Sequence, residues 1–163
     1  MPYLLWLLAF ALCTPVAQTK PRPVSATLAT KKATASVAEP VLVVQRTPCH
    51  GTCPTYTAAI FADGRVEYHG ERFVGLLGQH TLHLPAATVG QLLAEAKRIN
   101  FSGLQDQYLG NTYDLPATIM TVHPAGQPAK TVRAQANMPA ALENYLTFVL
   151  RQLDPLTNGT ADK

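Results

Sequence analysis

Very little in this chain of 163 residues points to chemistry. It has no Gly-x-Ser-x-Gly turn and no Gly-rich phosphate loop, so neither a nucleophile elbow nor a nucleotide cradle can be read. Its acidic residues are scattered, which leaves no paired carboxylates for acid–base work. No apolar run reaches the ~20 residues of a membrane-spanning helix. There is no internal repeat. Cysteine is scarce: Cys13, Cys49 and Cys53 are all there is. Charge of one sign is also missing where the chain would fold, since residues 41–153 hold eight Lys or Arg against seven Asp or Glu. A nucleic-acid reader clusters its basic residues on the domain, so no nucleic-acid partner is expected. These absences leave ligand, partner and reaction unread.

A short apolar run is present. Residues 3–13, Tyr-Leu-Leu-Trp-Leu-Leu-Ala-Phe-Ala-Leu-Cys, are unbroken. That is the length of the apolar centre of a signal peptide. Residues 1–17 therefore read as a cleaved signal, with cutting after Ala17 or after Cys13. An uncleaved N-terminal anchor is the alternative. Leu12 stands where a lipidated Cys13 would need a small residue, so no lipid anchor is expected. Residues 18–40 are rich in Ala, Thr, Ser, Pro and Lys. They bury too little to offset ordering entropy, and read as a disordered linker. Lys20, Arg22, Lys31 and Lys32 against Glu39 give the linker +3, enough for weak contact with an anionic membrane surface. Residues 154–163 read as a flexible tail. The expected location is the periplasm, the cell envelope or the medium.

Residues 41–153 have the size of one domain able to bury its own core. Val41–Val44 reads as a buried strand. Tyr56, Ala58, Ile60 and Ala62 alternate with Thr55, Thr57 and Ala59, as do Val66 and Tyr68 with Arg65, Glu67 and His69. Asp63-Gly64 between these runs signals a hairpin. Glu71–Leu84 adds one or two strands. From Pro85 the period becomes helical through Val89, Leu92, Leu93, Ala96 and Ile99. Thr118–Val122 and Lys130–Ala134 read as strands joined by Pro124-Ala125-Gly126-Gln127. A last helix is expected with Asn137 as N-cap, Pro139 in its first turn and Pro155 ending it. The fold class is α+β: an antiparallel sheet of about five to six strands with two helices packed on one face. Val44, Ile60, Leu92, Leu93, Leu146 and Val149 belong in its core.

The segment Arg46-Thr47-Pro48-Cys49-His50-Gly51-Thr52-Cys53-Pro54-Thr55-Tyr56 stands out. In an exported chain Cys49 and Cys53 are expected to be oxidised to a structural clip, leaving Cys13 to depart with the signal. Gly51 is expected to supply an unusual φ for so small a ring. Metal or redox use is the second reading. Cys-x-x-x-Cys-Pro after a buried strand also occurs in Sco-type copper chaperones, and two thiolates with His50 suit Cu(I). Those proteins run from the motif into a helix, whereas Thr55–Ala62 alternates like a strand. His80 and His83 fall on opposite faces of an alternating strand, which disfavours a metal pair. Tyr56 reads as core. Asp114, before Leu115-Pro116, reads as a turn cap, with Arg46 near enough to be its conjectured partner.

The stretch from Val43 to Tyr56, with Ile60, Asp63-Gly64, Val66, Tyr68, Gly70, Asn100-Phe101, Leu104 and Asp114-Leu115-Pro116, resembles the domain-of-unknown-function 6438 family. The resemblance spans about residues 41–153. It implies an exported or envelope-associated bacterial protein and no activity. It marks Arg46, Cys49, Gly51, Cys53, Tyr56 and Asp114 as motif positions, with His50 in a variable slot. The leading expectation is a non-catalytic binding or structural module without a cofactor, its candidate patch being Arg46, Gly51, Tyr56 and Asp114. The alternative is an extracytoplasmic thiol-redox or copper-handling protein using Cys49, Cys53 and His50.

Overall fold

The computed structural model describes residues 38–111 and 114–157. The signal assigned to residues 1–17, all of the linker except residues 38–40, and the tail from residue 158 lie outside them. The elements run β1 (Leu42–Arg46), β2 (Thr55–Ile60), β3 (Arg65–Arg72), β4 (Gly78–His83), α1 (Ala86–Arg98), a 3-10 turn (Phe101–Gly103), β5 (Gln107–Tyr108), β6 (Thr118–Val122), β7 (Lys130–Ala134) and α2 (Ala140–Thr157). The strands form one sheet in the order β4-β3-β2-β1-β6-β7-β5.

The period-2 pattern is what builds the sheet. Leu42 and Val44 on β1 stand opposite Ile60 and Ala58 on β2, and opposite Val122 and Met120 on β6. Val66 and Tyr68 continue the same face on β3, and Val132 and Ala134 on β7. All of these are buried. The helices cover this face with their apolar stripes. Val89, Leu92 and Ala96 of α1 and Leu142, Tyr145, Leu146, Val149 and Leu153 of α2 join the same core, with Leu93 half-buried against it. The opposite face, with Gln45, Glu67, His69, Gln79 and Thr131, is exposed.

The hairpin forms at Asp63-Gly64 as expected. Phe61 N–H donates to Arg65 O at 2.9 Å, Gly64 N–H to Phe61 O at 3.0 Å, and Arg65 N–H to the Asp63 carboxylate at 3.0 Å. Gly64 sits at φ +94°, and a Cβ there would lie 2.0 Å from the Leu84 carbonyl oxygen. That position therefore demands glycine twice over, by backbone angle and by room.

Three expectations need correction. The sheet has seven strands and is mixed, not five to six and antiparallel. The additional strand is β5, two residues long and parallel to β7. Two residues carry no alternation to read, and a strand arriving from a preceding helix has no hairpin turn to announce it. Asn137 is not the N-cap of α2: it sits at φ 55° and its side-chain amide donates to Leu109 O at 3.2 Å. Pro139 O accepts the first helical bonds instead, from Leu142 and Glu143. Pro155 lies inside α2, which continues to Thr157. Near a C-terminus proline removes one helical bond, and the last turn survives because Leu76 N–H donates to Thr157 O at 2.9 Å.

Candidate functional site: the loop end of the sheet

The register brings four connections to one end of the sheet. Arg46 ends β1 opposite Tyr56, the second residue of β2, and opposite Thr118, which opens β6. Thr118 faces Ala134 at the end of β7. Thr55 faces Arg72 at the end of β3. The loops 47–54, 73–77 and 135–139, with residues 109–111 and 114–117, therefore lie at the same end.

Loop 47–54 is held at both ends. Thr47 N–H donates to Ala117 O at 2.9 Å, and its hydroxyl accepts from Ala117 N–H at 2.8 Å. This fastens the loop to the segment before β6. Cys49 and Cys53 are joined as a disulfide, their Cα atoms 5.7 Å apart, and Gly51 N–H donates to the Cys49 sulfur at 3.2 Å. With the bond in place neither sulfur is a thiolate, and thiolates are what a soft ion binds. The chain after the motif is strand β2, as the alternation required, and not the helix of a thioredoxin arrangement. His80 pairs opposite Tyr68 on the covered face while His83 lies on the exposed one.

Gly51 departs from expectation. It takes no left-handed φ, and a Cβ there would meet only the Cys49 sulfur, at 3.8 Å. The ring between the cysteines closes with ordinary backbone angles. Gly51→Ala should change stability by no more than about 0.5 kcal/mol in a urea melt. A loss several times larger would show that the ring does need glycine.

His50, rather than Arg46, is the side chain that meets Asp114. The two stand 3.4 Å apart on the outside of the loops, with side chains 86% and 60% exposed. Pairs so exposed contribute little to stability. They are solvated polar groups at the lip of the site. Arg46 instead lies beside Tyr56 inside it. Burial pushes the Tyr56 hydroxyl well above the ordinary phenol range, Asp154 and Tyr68 push the same way, and the Arg46 guanidinium pulls back. The Tyr56 and Tyr68 rings pack at 5.4 Å. Arg46 Nε and both hydroxyls make no well-formed hydrogen bond among the described residues, although the Arg46 guanidinium lies close enough to act on the Tyr56 hydroxyl. Tyr56 is thus core, as expected, but core with a polar tip under the influence of Arg46 and Asp154.

The arrangement brings Arg46 and Tyr56 together, closes the loop between them in sequence through Cys49 and Cys53, and sets Asp114 beside His50 of that loop. Sequence reasoning missed the Thr47 link, the His50–Asp114 pair and the exposed apolar residues of this end. Among the described residues the exposed large apolar side chains are Phe73, Leu77, Leu109 and Leu115. All four lie on connections at this end. Leu76-Leu77 between Gly75 and Gly78, within no periodic element, was the readable signal. Among the described residues no three His, Cys, Asp or Glu side chains group as metal ligands, and no helix is long and apolar enough to cross a membrane.

The clip should matter modestly. Cys49→Ala with Cys53→Ala removes the constraint of a very small ring, and should cost about 2 kcal/mol of unfolding free energy. Denaturant melts of oxidised wild type and double variant check this. A collapse of the fold would mean that the loop supports the whole domain.

The family model described as a domain of unknown function, DUF6438, matches residues 40–153, and the chain belongs to that family. No curated protein and no solved structure matches it.

Proposed function

We propose that this member of the domain-of-unknown-function 6438 family is an exported, non-catalytic binding module that meets its partner with the loop end of its sheet. One observation carries the reading. The apolar side chains a folded domain would ordinarily bury, Phe73, Leu77, Leu109 and Leu115, are exposed together on the loops of that end. Exposed apolar residues gathered on loops over a rigid sheet are how binding surfaces are built. The Cys49–Cys53 clip stiffens the central loop, which lowers the entropy lost when it is immobilised by a partner. Export is supported by the signal-like run at residues 3–13 and by a cysteine pair close enough to be joined. The module needs no resident cofactor for this role, and the basic linker adds weak attraction to an anionic surface.

Copper or thiol handling is the second reading. It rests on the Cys-x-x-x-Cys-Pro spacing and requires Cys49 and Cys53 reduced.

A photo-crosslinking side chain placed at Leu109 or Leu115 tests the binding surface in the intact envelope. It should give adducts, while the same group at Ala62 or Gly126, in turns at the other end of the sheet, should not. Equal labelling from both ends would end the proposal.

A further inference from the structure

Residues 73–94 contain no Asp, Glu, Lys or Arg. This uncharged stretch includes one whole edge of the sheet, because β4 is the outermost strand on its side. Edge strands invite pairing, and proteins ordinarily blunt them with charge, proline, bulges or shortness. The other edge obeys: β5 has two residues. β4 does not. It has six residues, Gly-Gln-His-Thr-Leu-His, without charge or proline. It pairs with β3 in unbroken register from Gly78 to His83. Its outer side meets no strand among the described residues. Leu77, 63% exposed, stands directly before it, and exposed Pro85, Ala86 and Ala87 follow shortly after. A shallow hollow of 330 Å³ along β3 and β4 is bordered by Glu67, His69, Gln79 and Thr81.

We propose that β4 is a dimerisation edge, pairing antiparallel with β4 of a second copy so that the sheet continues across a two-fold axis. Three features select a second copy over a foreign peptide. An antiparallel edge about a two-fold axis is self-complementary. A strand without Asp, Glu, Lys or Arg meets its own copy with none of those charges opposed, which an edge rich in them would not. Antiparallel pairing also carries Leu77 of one copy towards the Pro85–Ala87 segment of the other, apolar against apolar, at both ends of the contact. Leu77 is shared between this contact and the binding surface proposed above, whereas Phe73, Leu109 and Leu115 stay outside it, so the oligomeric state and crosslinking from Leu109 or Leu115 are read separately.

Sedimentation of the full mature chain across the micromolar range tests it. Wild type should shift with concentration from one chain mass to two. Thr81→Lys and Gln79→Lys each place like charges across the axis on exposed positions, and should raise the dissociation constant at least about tenfold. Their circular dichroism and melting temperature should match wild type. Amide exchange at those positions of residues 78–83 whose N–H points away from β3 should slow as protein concentration rises. Wild type that stays monomeric overturns the proposal. So does a dimer indifferent to both lysines. Protection, in the monomer at every concentration, of the β4 amides that point away from β3 does so too, because the edge would then be covered by the chain itself.

Discussion

Replacing Gly64 with alanine is expected to cost at least about 3 kcal/mol. Two penalties combine there. The φ of +94° is one that a Cβ disfavours, and the added carbon would fall 2.0 Å from the Leu84 carbonyl oxygen. That oxygen belongs to backbone, so it cannot swing aside as a side chain would. Gly64 O also accepts from Leu84 N–H at 2.8 Å, which binds the β2–β3 hairpin to the end of β4. Moving either chain to make room breaks that bond. Gly126→Ala is the control. It has φ +71° but nothing within 4 Å of the new carbon. It should cost only about 1 kcal/mol, the backbone term alone. Thermal melts of the two variants separate sterics from backbone strain. Equal losses would show that the contact with Leu84 relaxes.

Alkali should unfold the protein steeply, through its buried phenols. Burial raises the pKa of Tyr56 and of Tyr145 well above the ordinary 10.0, and Glu95 adds to the effect at Tyr145. Above about pH 10 the unfolded chain releases these protons and the native chain keeps them, so the unfolded state binds fewer protons and stability falls as pH rises. Below that pH both states hold them and the contribution is constant. Each phenol lowers stability by about 1.4 kcal/mol per pH unit in that window, so two of them across two units amount to roughly 5 kcal/mol. Urea melts between pH 9 and 12 read the slope. Tyr56→Phe with Tyr145→Phe should flatten it. The same pair should cost little at neutral pH, because neither hydroxyl makes a well-formed hydrogen bond among the described residues, the Arg46 guanidinium being the one polar group drawn to that of Tyr56. An unchanged slope in the double variant would place the alkaline sensitivity elsewhere.

What could be read from the chain follows from repetition. β2 and β3 announce themselves because Tyr56, Ala58 and Ile60, then Val66 and Tyr68, alternate on either side of Asp63-Gly64, and one face is wholly buried. The stripes of α1 and α2 are legible for the same reason, and every core residue expected from them is buried or packed against the core. Where a feature depends on a partner distant in sequence, the pattern goes silent. β5 exists because Arg133 N–H reaches Asp106 O and Gln135 N–H reaches Tyr108 O, both at 2.8 Å, across a connection no local signal describes. Asn137 looked like a cap because its type favours that role, yet the nearby Leu109 carbonyl captured its amide.

The site divides along the same line. That Cys49 and Cys53 can join follows from spacing, and the burial of Tyr56 from alternation. That Asp114 faces His50 instead of Arg46 depends on how β1 and β6 lie side by side, which ties Thr47 to Ala117 and leaves Arg46 turned towards the helices. Phe73, Leu77, Leu109 and Leu115 share one end of the sheet only because the strand order folds two distant loops to it.

Mass measurement after alkylation tests the central claim, an exported module whose loop is held by an oxidised clip. Protein taken directly from the envelope into an alkylating denaturant should gain no label at Cys49 or Cys53, and two labels once it is reduced. Two labels before reduction would contradict the account and put the thiol and copper reading in its place.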